Sequence, residues 1–383
     1  MGILVKDLLK LDLFKESQII AGHNGLNRII NRVSVFDCPI EENRDRVVLQ
    51  DGDFFISNFF FFKESIEYGI YAINFLDSCK CSGLCLTSEY LDCFSEELMN
   101  HCNKINFPVL TIDYSTSYGD IIRDVAYLLF KNEKNYLLES QLANLMNTYS
   151  LLDAKKILNT INPHFLDYIT AIYFYSTNTN YNYSSDFLNL LNQNKNNICI
   201  PYKNGFILLI SYYKNDLKSI NSTISYYSNI IKDNVEKYII GISNDFIDLV
   251  DTRIAISQAI LCLSSMNKKP LSIIKYKELG IVPLLFSYKD TPEIKNYYDD
   301  IVIPLKEYDN KYNKDLLNTL IAFVDCDGDY KICSKILYQH ENTIRYRMLK
   351  IKSLLNLESS NIEFYEKISI CVKLHKIYNN FSV

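Results

Sequence analysis

Through the first part of the chain, short apolar runs bounded by turn residues alternate with stretches of helical spacing. Val5–Leu11 predicts a short helix, and Ser17–Ala21 and Arg32–Phe36 predict strands separated by a turn at Gly22 and Gly25. Phe54–Ser57 predicts a strand entered from the Asp51-Gly52-Asp53 turn. Ile66, Ile70, Ile73 and Leu76 then share one face of a helix over 63–78. Gly83–Thr87 predicts a strand, Glu96–Ile105 a helix and Pro108–Ile112 a strand. Strands alternating with helices specify an α/β domain, here over residues 1–117.

From Tyr118 to about Ile161 the spacing turns helical. Leu138, Leu142, Leu145, Tyr149 and Leu152 follow a 4-3-4-3 seam, and Ile121, Val125 and Leu128 start another, offset like a stammer. Residues 118–161 therefore read as a helical linker, either packed on its neighbour or dimerising as a coiled coil. Residues 162–290 return to mixed patterning. Tyr168–Tyr175 predicts a strand and Phe187–Leu191 a helix. Ile198–Tyr202 and Phe206–Ile210 form a hairpin through Lys203-Asn204-Gly205. A helix, a strand Tyr238–Ser243, a helix Leu249–Ser264 and a strand Leu271–Ile274 follow. The order βαββαβ is the ferredoxin-like plan. Beyond Thr291 only helices are predicted, over 294–303, 315–324, 330–337, 342–355 and 362–378, which makes residues 291–383 an all-α domain. The fold class is thus multidomain, α/β followed by α+β and all-α.

A chain of 383 residues is too long for one compact core, and 48% hydrophobic residues suffice for several. The formal net charge of −5 means that any polyanion must be met by a local concentration of Lys and Arg. The most hydrophobic run, Phe54–Phe62, is broken by Ser57 and Asn58 and is about half the length of a spanning helix. Met1-Gly-Ile-Leu-Val-Lys-Asp has no signal-peptide pattern, so a cytoplasmic protein is expected. Five of the eleven cysteines, Cys79, Cys81, Cys85, Cys93 and Cys102, lie close together. Their spacing lacks the paired knuckles of structural zinc sites, which ranks packing ahead of a metal or redox role. No phosphate-binding loop, dinucleotide glycine pattern or hydrolase motif is present. His23, His101, His164, His340 and His375 show no ligand spacing.

The clearest chemistry lies near the C-terminus. A short helix over 330–337, a tight connection at Tyr338-Gln339-His340 and a longer helix over 342–355 make a helix-turn-helix. Ile344, Met348, Ile351 and Leu355 give the longer helix one apolar face, and Asn342, Thr343, Arg345, Tyr346, Arg347, Lys350 and Lys352 occupy the rest. Between Lys331 and Leu357 six Lys/Arg stand against one acid, Glu341, a local charge of +5. An α-helix fits the major groove of DNA, where Asn reads adenine, Arg reads guanine and flanking cations meet phosphates. A solvated basic surface is the plainer reading of the same charges.

Cys333-Ser-Lys-Ile-Leu-Tyr-Gln-His-Glu-Asn-Thr-Ile-Arg-Tyr-Arg-Met348, preceded by Leu316-Leu-Asn-Thr-Leu-Ile-Ala-Phe-Val324, closely resembles the C-terminal helix-turn-helix of PucR/CdaR regulators. His340, Asn342, Thr343, Tyr346 and Arg347 match its His-x-Asn-Thr-x-x-Tyr-Arg pattern. Val5-Lys-Asp-Leu-Leu9, Ile20–Arg28, Gly52–Ser57 and Phe107–Leu110 resemble the PucR-type sensory domain, and the middle region is similar to the GGDEF-like domain of these proteins. The resemblance implies a ligand-responsive regulator that binds double-stranded promoter DNA as a homodimer or higher homo-oligomer. Purine or other nitrogen and carbon catabolism would be its theme. His340, Asn342, Thr343, Arg345, Tyr346, Arg347 and Lys350 would form the DNA-binding surface. Glu341 departs from a position that is often basic in the family, and an acid there would repel phosphate. The hairpin Tyr202-Lys-Asn-Gly-Phe206 carries none of the carboxylates that two-metal phosphoryl transfer needs, so no cyclase activity and no cofactor are expected. A small-molecule effector of unknown identity belongs in the crevice at the strand ends of the first domain. Asp37, Ser57 and Asn58 are the candidate residues there, and His23 sits in a nearby turn. A non-catalytic protein-interaction scaffold and a degenerate nucleotide-binding protein remain as alternatives.

Overall fold

The computed structural model describes residues 2–58, 65–179, 181, 183–213, 215, 220–264 and 270–380. The chain divides into two compact units, Met1–Ser140 and Gln141–Val383.

The first unit is built on a five-stranded sheet. Its order is β2 (Ile19–Ala21), β7 (Val109–Ile112), β6 (Gly83–Thr87), β5 (Asp53–Ser57), β4 (Arg32–Val35), and β4 to β7 run parallel. The central strands are buried on both faces, as parallel strands covered by helices must be. Phe55, Leu84, Leu86 and Val109 alternate onto one face with Ile73, Leu76 and Leu98, from α3 (Ile66–Ser78) and α4 (Glu96–Ile105). Phe54, Ile56, Cys85, Leu110 and Ile112 meet Val5 and Leu8 of α1 (Val5–Leu8) and Ile121 and Val125 of α5 (Tyr118–Asn147) on the other. Ser65 and Ser95 cap α3 and α4 by accepting from Tyr68 N and Leu98 N. Gly22 has φ +68°, and a Cβ there would lie 2.0 Å from the Phe107 carbonyl oxygen, so the turn requires glycine. Three of the clustered cysteines are packing residues. Cys81, Cys85 and Cys102 are fully buried, and burial pushes the thiols of Cys85 and Cys102 up to about 12.

Four features differ from the sequence expectation. The strands β1 (Ile3–Leu4) and β3 (Ile29–Ile30) pair as a separate two-stranded sheet, and α2 (Glu42–Val48) precedes β5. The first predicted helix stops at Leu8, and a single 3-10 turn over Asp12–Phe14 follows. The seam from Leu138 to Leu152 is not continuous. The helix α5 ends at Asn147, and α6 (Leu151–Ile161) restarts under Ser150, whose hydroxyl accepts from Asp153 N. Leu142 and Leu145 are buried, whereas Tyr149 and Leu152 stand 83% and 73% exposed.

The second unit opens, after α6, with a sheet of five strands. In chain order these are β8 (Tyr168–Ser176), β9 (Asn197–Tyr202), β10 (Gly205–Tyr212), β11 (Tyr238–Ile242) and β12 (Ser272–Lys275). The spatial order is β12-β11-β8-β10-β9, antiparallel except for β11 with β12. The hairpin between β9 and β10 turns through Lys203 and Asn204, with Lys203 at φ +51°. Phe174, Leu208, Ile240 and Ile242 face α7 (Ser185–Leu191) and α8 (Ile220–Asn234). On the opposite face α9 (Thr252–Ser264) lies so close that a Cβ on Gly241 would fall 2.2 Å from the Ala259 carbonyl oxygen. The predicted βαββαβ order ends at β11, and α9 and β12 extend it. Both edges of this sheet are irregular: β9 carries Pro201, and β12 is four residues long and ends in Lys275.

Six helices complete the unit: α10 (Val282–Tyr288), α11 (Pro292–Tyr312), α12 (Leu316–Asp325), α13 (Tyr330–Ile336), α14 (Glu341–Leu354) and α15 (Asn361–Asn380). The last five enclose one apolar core that includes Leu305, Leu320, Phe323, Ile344, Ile351 and Ile368. At its margin His375 lies between Tyr298 and Asn379, with 2.7 Å from Nδ1 to the Tyr298 hydroxyl and 2.7 Å from Nε2 to the Asn379 amide nitrogen. The Tyr298 hydroxyl and the Asn379 amide thus hold the ring at both of its nitrogens. Burial, aided by Lys306, holds the His375 pKa below its ordinary value. Above pH 6.5 the group makes no difference, since the unfolded imidazole is neutral as well; below it the unfolded state takes up a proton that the folded ring resists, and stability falls with pH. His375→Gln is expected to flatten that decline in melting temperature over the acid range. An acid slope as steep as that of the parent would remove His375 as its cause.

Candidate nucleic-acid interface

The helices α13 and α14 are set by caps at both starts. Asp329 accepts from Lys331 N at 2.8 Å and Ile332 N at 2.9 Å, which fixes the first turn of α13. His340 is the N-cap of α14, its Nδ1 accepting from Asn342 N at 3.2 Å. Between the helices the chain reverses at Tyr338, which has φ +53°, and Gln339 N donates to Ser334 O. Ile344, Met348 and Ile351 seat α14 on the core.

The helix period then decides which candidate residues face outward. Asn342, Arg345, Tyr346 and Leu349 lie at i, i+3, i+4 and i+7, and all four are exposed, Tyr346 by 68% and Leu349 by 67%. Thr343 and Lys350 are half-buried on its flanks. Arg347 lies on the side nearer the core and donates from Nη1 to Thr319 Oγ1 of α12 at 2.8 Å. Arg345 is braced from two directions. It pairs with Glu341 at 2.6 Å, and its guanidinium lies 4.3 Å from the Tyr330 ring centroid. Glu341, the one acid of this stretch, is thus met by a cation within its own helix. The Lys350 ammonium sits 5.2 Å from the Tyr308 ring, and Lys352 donates to Asn361 Oδ1 at 2.6 Å. Lys331 and Lys335 on α13 are exposed and have no ion pair among the described residues.

The candidate DNA residues therefore divide. Asn342, Arg345 and Tyr346 share one solvent face, His340 shapes its start and Arg347 fastens it from behind. Sequence reasoning passed over Leu349 and Tyr338, the latter 92% exposed, and also the brace residues Thr319, Tyr330 and Tyr308. Leu349 was legible from the 3.6-residue period. The braces depend on tertiary contacts that no local pattern carries. An exposed face of this composition can enter a major groove, with an amide for a base edge and an aromatic and an aliphatic side chain for thymine methyls or sugars.

The candidate effector residues do come together, at the carboxyl ends of β4 and β5. The Ser57 hydroxyl donates to Phe36 O at 2.5 Å and lies 3.2 Å from Asp37 Oδ1, and Asn58 N donates to the same oxygen at 3.1 Å. Ser57 is fully buried. These groups are spent chiefly on joining the two strand ends. His23 lies in the 3-10 turn that follows Gly22. Among the described residues no group of three or more His, Cys, Asp or Glu is placed to hold a metal ion. No helix among them is long and apolar enough to cross a membrane.

Residues 7–129 match the Purine catabolism regulatory protein-like family, and residues 316–374 match the PucR C-terminal helix-turn-helix domain. The chain is 26% identical over 102 residues to the DNA-binding transcriptional activator AdeR of Bacillus subtilis, which covers 27% of this chain and 24% of that protein. It is 25% identical over 138 residues to the Purine catabolism regulatory protein of the same organism, covering 36% and 26%. The matched stretches thus span about a quarter of the curated relatives. A regulator of polyketide synthase expression from Bifidobacterium adolescentis aligns over 64% of this chain and 93% of its own, at 12% identity and a TM-score of 0.29.

Proposed function

We infer that this chain, which carries a PucR-family N-terminal domain and a PucR C-terminal helix-turn-helix domain, is a ligand-responsive transcription regulator acting on promoter DNA in the cytoplasm. The observation that carries the reading is the exposed face of α14. A surface used only for solvation has no need of a bare tyrosine and leucine beside Asn342, held on a helix whose cations are individually braced. Exposed apolar side chains in a polar frame mark a contact surface. Residues 1–117 serve as the sensory domain, 118–161 as a linker, 162–290 as a degenerate GGDEF-like domain of ferredoxin-like plan and 291–383 as the DNA-binding domain. The spatial order β11-β8-β10-β9 supports the ferredoxin-like plan. The hairpin at Lys203 and Asn204 offers no carboxylate, in keeping with a non-catalytic role. The relatives' names favour control of purine catabolism, with the effector itself unidentified.

One helix-turn-helix makes few contacts, so two chains on paired half-sites are expected. The exposed stripe Tyr127, Phe130 and Leu137 on α5 is a better dimer surface than the interrupted seam ending at Leu152.

The test is binding of the full chain to its own upstream DNA and to random DNA across a salt series. The promoter should bind more tightly, and both affinities should fall steeply with salt. Asn342→Ala and Tyr346→Ala should each narrow the gap between promoter and random DNA by about tenfold, since a base contact contributes roughly 1–3 kcal/mol of discrimination. If promoter and random DNA bind alike in the parent protein, the basic helix is a docking surface for an acidic partner instead.

A further inference from the structure

The middle of the chain contains a second polar site that the DNA-binding reading does not use. A cleft of about 540 Å³ lies between the face of α8 that runs from Asn221 to Lys232 and the carboxyl ends of β11 and β12. Its floor is apolar, formed by Ile224, Ile242 and Ile273, and its walls are polar. Ser228 of α8 lines it at 4% exposure, and its hydroxyl has no hydrogen-bond partner. A buried hydroxyl left unmet costs roughly 1–3 kcal/mol, so its retention calls for a reason.

Three cations surround that hydroxyl's cleft. Lys275 ends β12, Lys277 follows it, and Lys232 lies one turn beyond Ser228 on α8. Lys275 and Lys277 have no ion pair among the described residues, and Lys232 makes only a 3.4 Å contact with Asn229 Oδ1. The one carboxylate in the lining, Asp245, already accepts from the Thr170 hydroxyl at 2.6 Å. This end of the sheet is opposite the β9–β10 hairpin: beyond Ile242, which pairs with Ile172 in the middle of β8, the chain bridges from Phe246 to Ile169 near the start of β8, whereas the hairpin's Gly205 packs against Phe174 near its end.

We propose that this cleft binds a small organic phosphate. The phosphate is held by Lys275 and Lys277 with Lys232 in support, the Ser228 hydroxyl gains its missing partner, and the uncharged body of the ligand lies on the isoleucine floor. The volume falls within the range of small-molecule sites. It provides an effector site in the middle of the chain, separate from the corner at Asp37 and Ser57.

Calorimetric titration of the full chain with inorganic phosphate, ribose 5-phosphate and adenosine monophosphate, in the absence of DNA, tests the proposal independently of the regulator reading. At least one organic phosphate should bind more tightly than inorganic phosphate, because only it uses the floor. Lys275→Ala combined with Lys277→Ala should weaken it by about tenfold or more, as loss of charge-assisted contacts does. Ser228→Ala should weaken it by about threefold, the lower end for a neutral hydrogen bond. Lys331→Ala with Lys335→Ala, on the DNA-binding helices, should leave it unchanged. Should the paired lysine variant lower the melting temperature, the exposed Lys277→Ala alone serves in its place. The proposal is overturned if none of the three phosphates binds, if binding survives the lysine substitutions at Lys275 and Lys277, or if it vanishes only with Lys331 and Lys335.

Discussion

Phe323→Ala is expected to unfold the C-terminal helices and abolish promoter binding with them. Phe323 is 1% exposed at the centre of that core. Its ring lies 4.9 Å from the Tyr330 ring and 6.3 Å from the Tyr365 ring, so one side chain joins α12, α13 and α15. Truncating a buried phenylalanine costs about 3–5 kcal/mol in lost transfer energy and cavity. Whole domains are stable by only about 5–15 kcal/mol, so the loss is a large part of what is available. The effect reaches α14 by a definite route. Tyr330 rests on Phe323, and the Arg345 guanidinium rests on Tyr330. Thermal denaturation followed by circular dichroism should show a helical transition at much lower temperature than in the parent. Unchanged melting of Phe323→Ala would show that these helices do not depend on this core.

Arg347→Ala should weaken DNA binding for a reason different from the one its charge suggests. Its guanidinium donates to Thr319 Oγ1, and that hydroxyl, itself buried, donates to Asp315 O at 2.5 Å. The three groups tie α14 to the first turn of α12. A hydrogen bond to a charged group contributes about 1.5–3 kcal/mol, and the half-buried position argues for the lower end. The expected outcome is a lower melting temperature, with promoter and random DNA weakened together and the salt dependence nearly unchanged. If Arg347 neutralised a phosphate, the slope of log affinity against log salt would shrink by about one. A double-mutant cycle with Thr319→Ala separates the cases further. Strong coupling supports the tie, and additive losses would show that the two residues act apart.

The sequence made periodic, buried elements easy to read. The strand β6 and the helix α4 begin and end where apolar runs, Ser95 and the flanking turns predict. Elements without buried residues gave no such signal. The helix α2 has none, and β1 and β3 are two residues long, too short to show alternation. The seam through Tyr149 and Leu152 was a coincidence of spacing. Ser150 and Asp153, three residues apart, were the better signal, because that pattern starts a helix instead of continuing one. At α14, residue types and charge were legible, whereas the assignment of each cation was not. Arg345 and Arg347 look equivalent in sequence. The period places one beside Glu341 on the solvent side and the other beside the core, and only the fold supplies Tyr330 and Thr319 as their partners.

The irregular edges of the second sheet bear on how the protein behaves when concentrated. An open sheet edge offers unpaired N–H and C=O groups to any passing strand, and intermolecular addition there starts aggregation. On one side Pro201 removes a donor from β9, so an incoming strand meets a gap in the row. On the other, β12 offers only three residues before Lys275, which would bring like charges of successive copies together. A chain rich in tyrosine and isoleucine, with 48% hydrophobic residues, thus keeps its longest sheet from growing past its own ends.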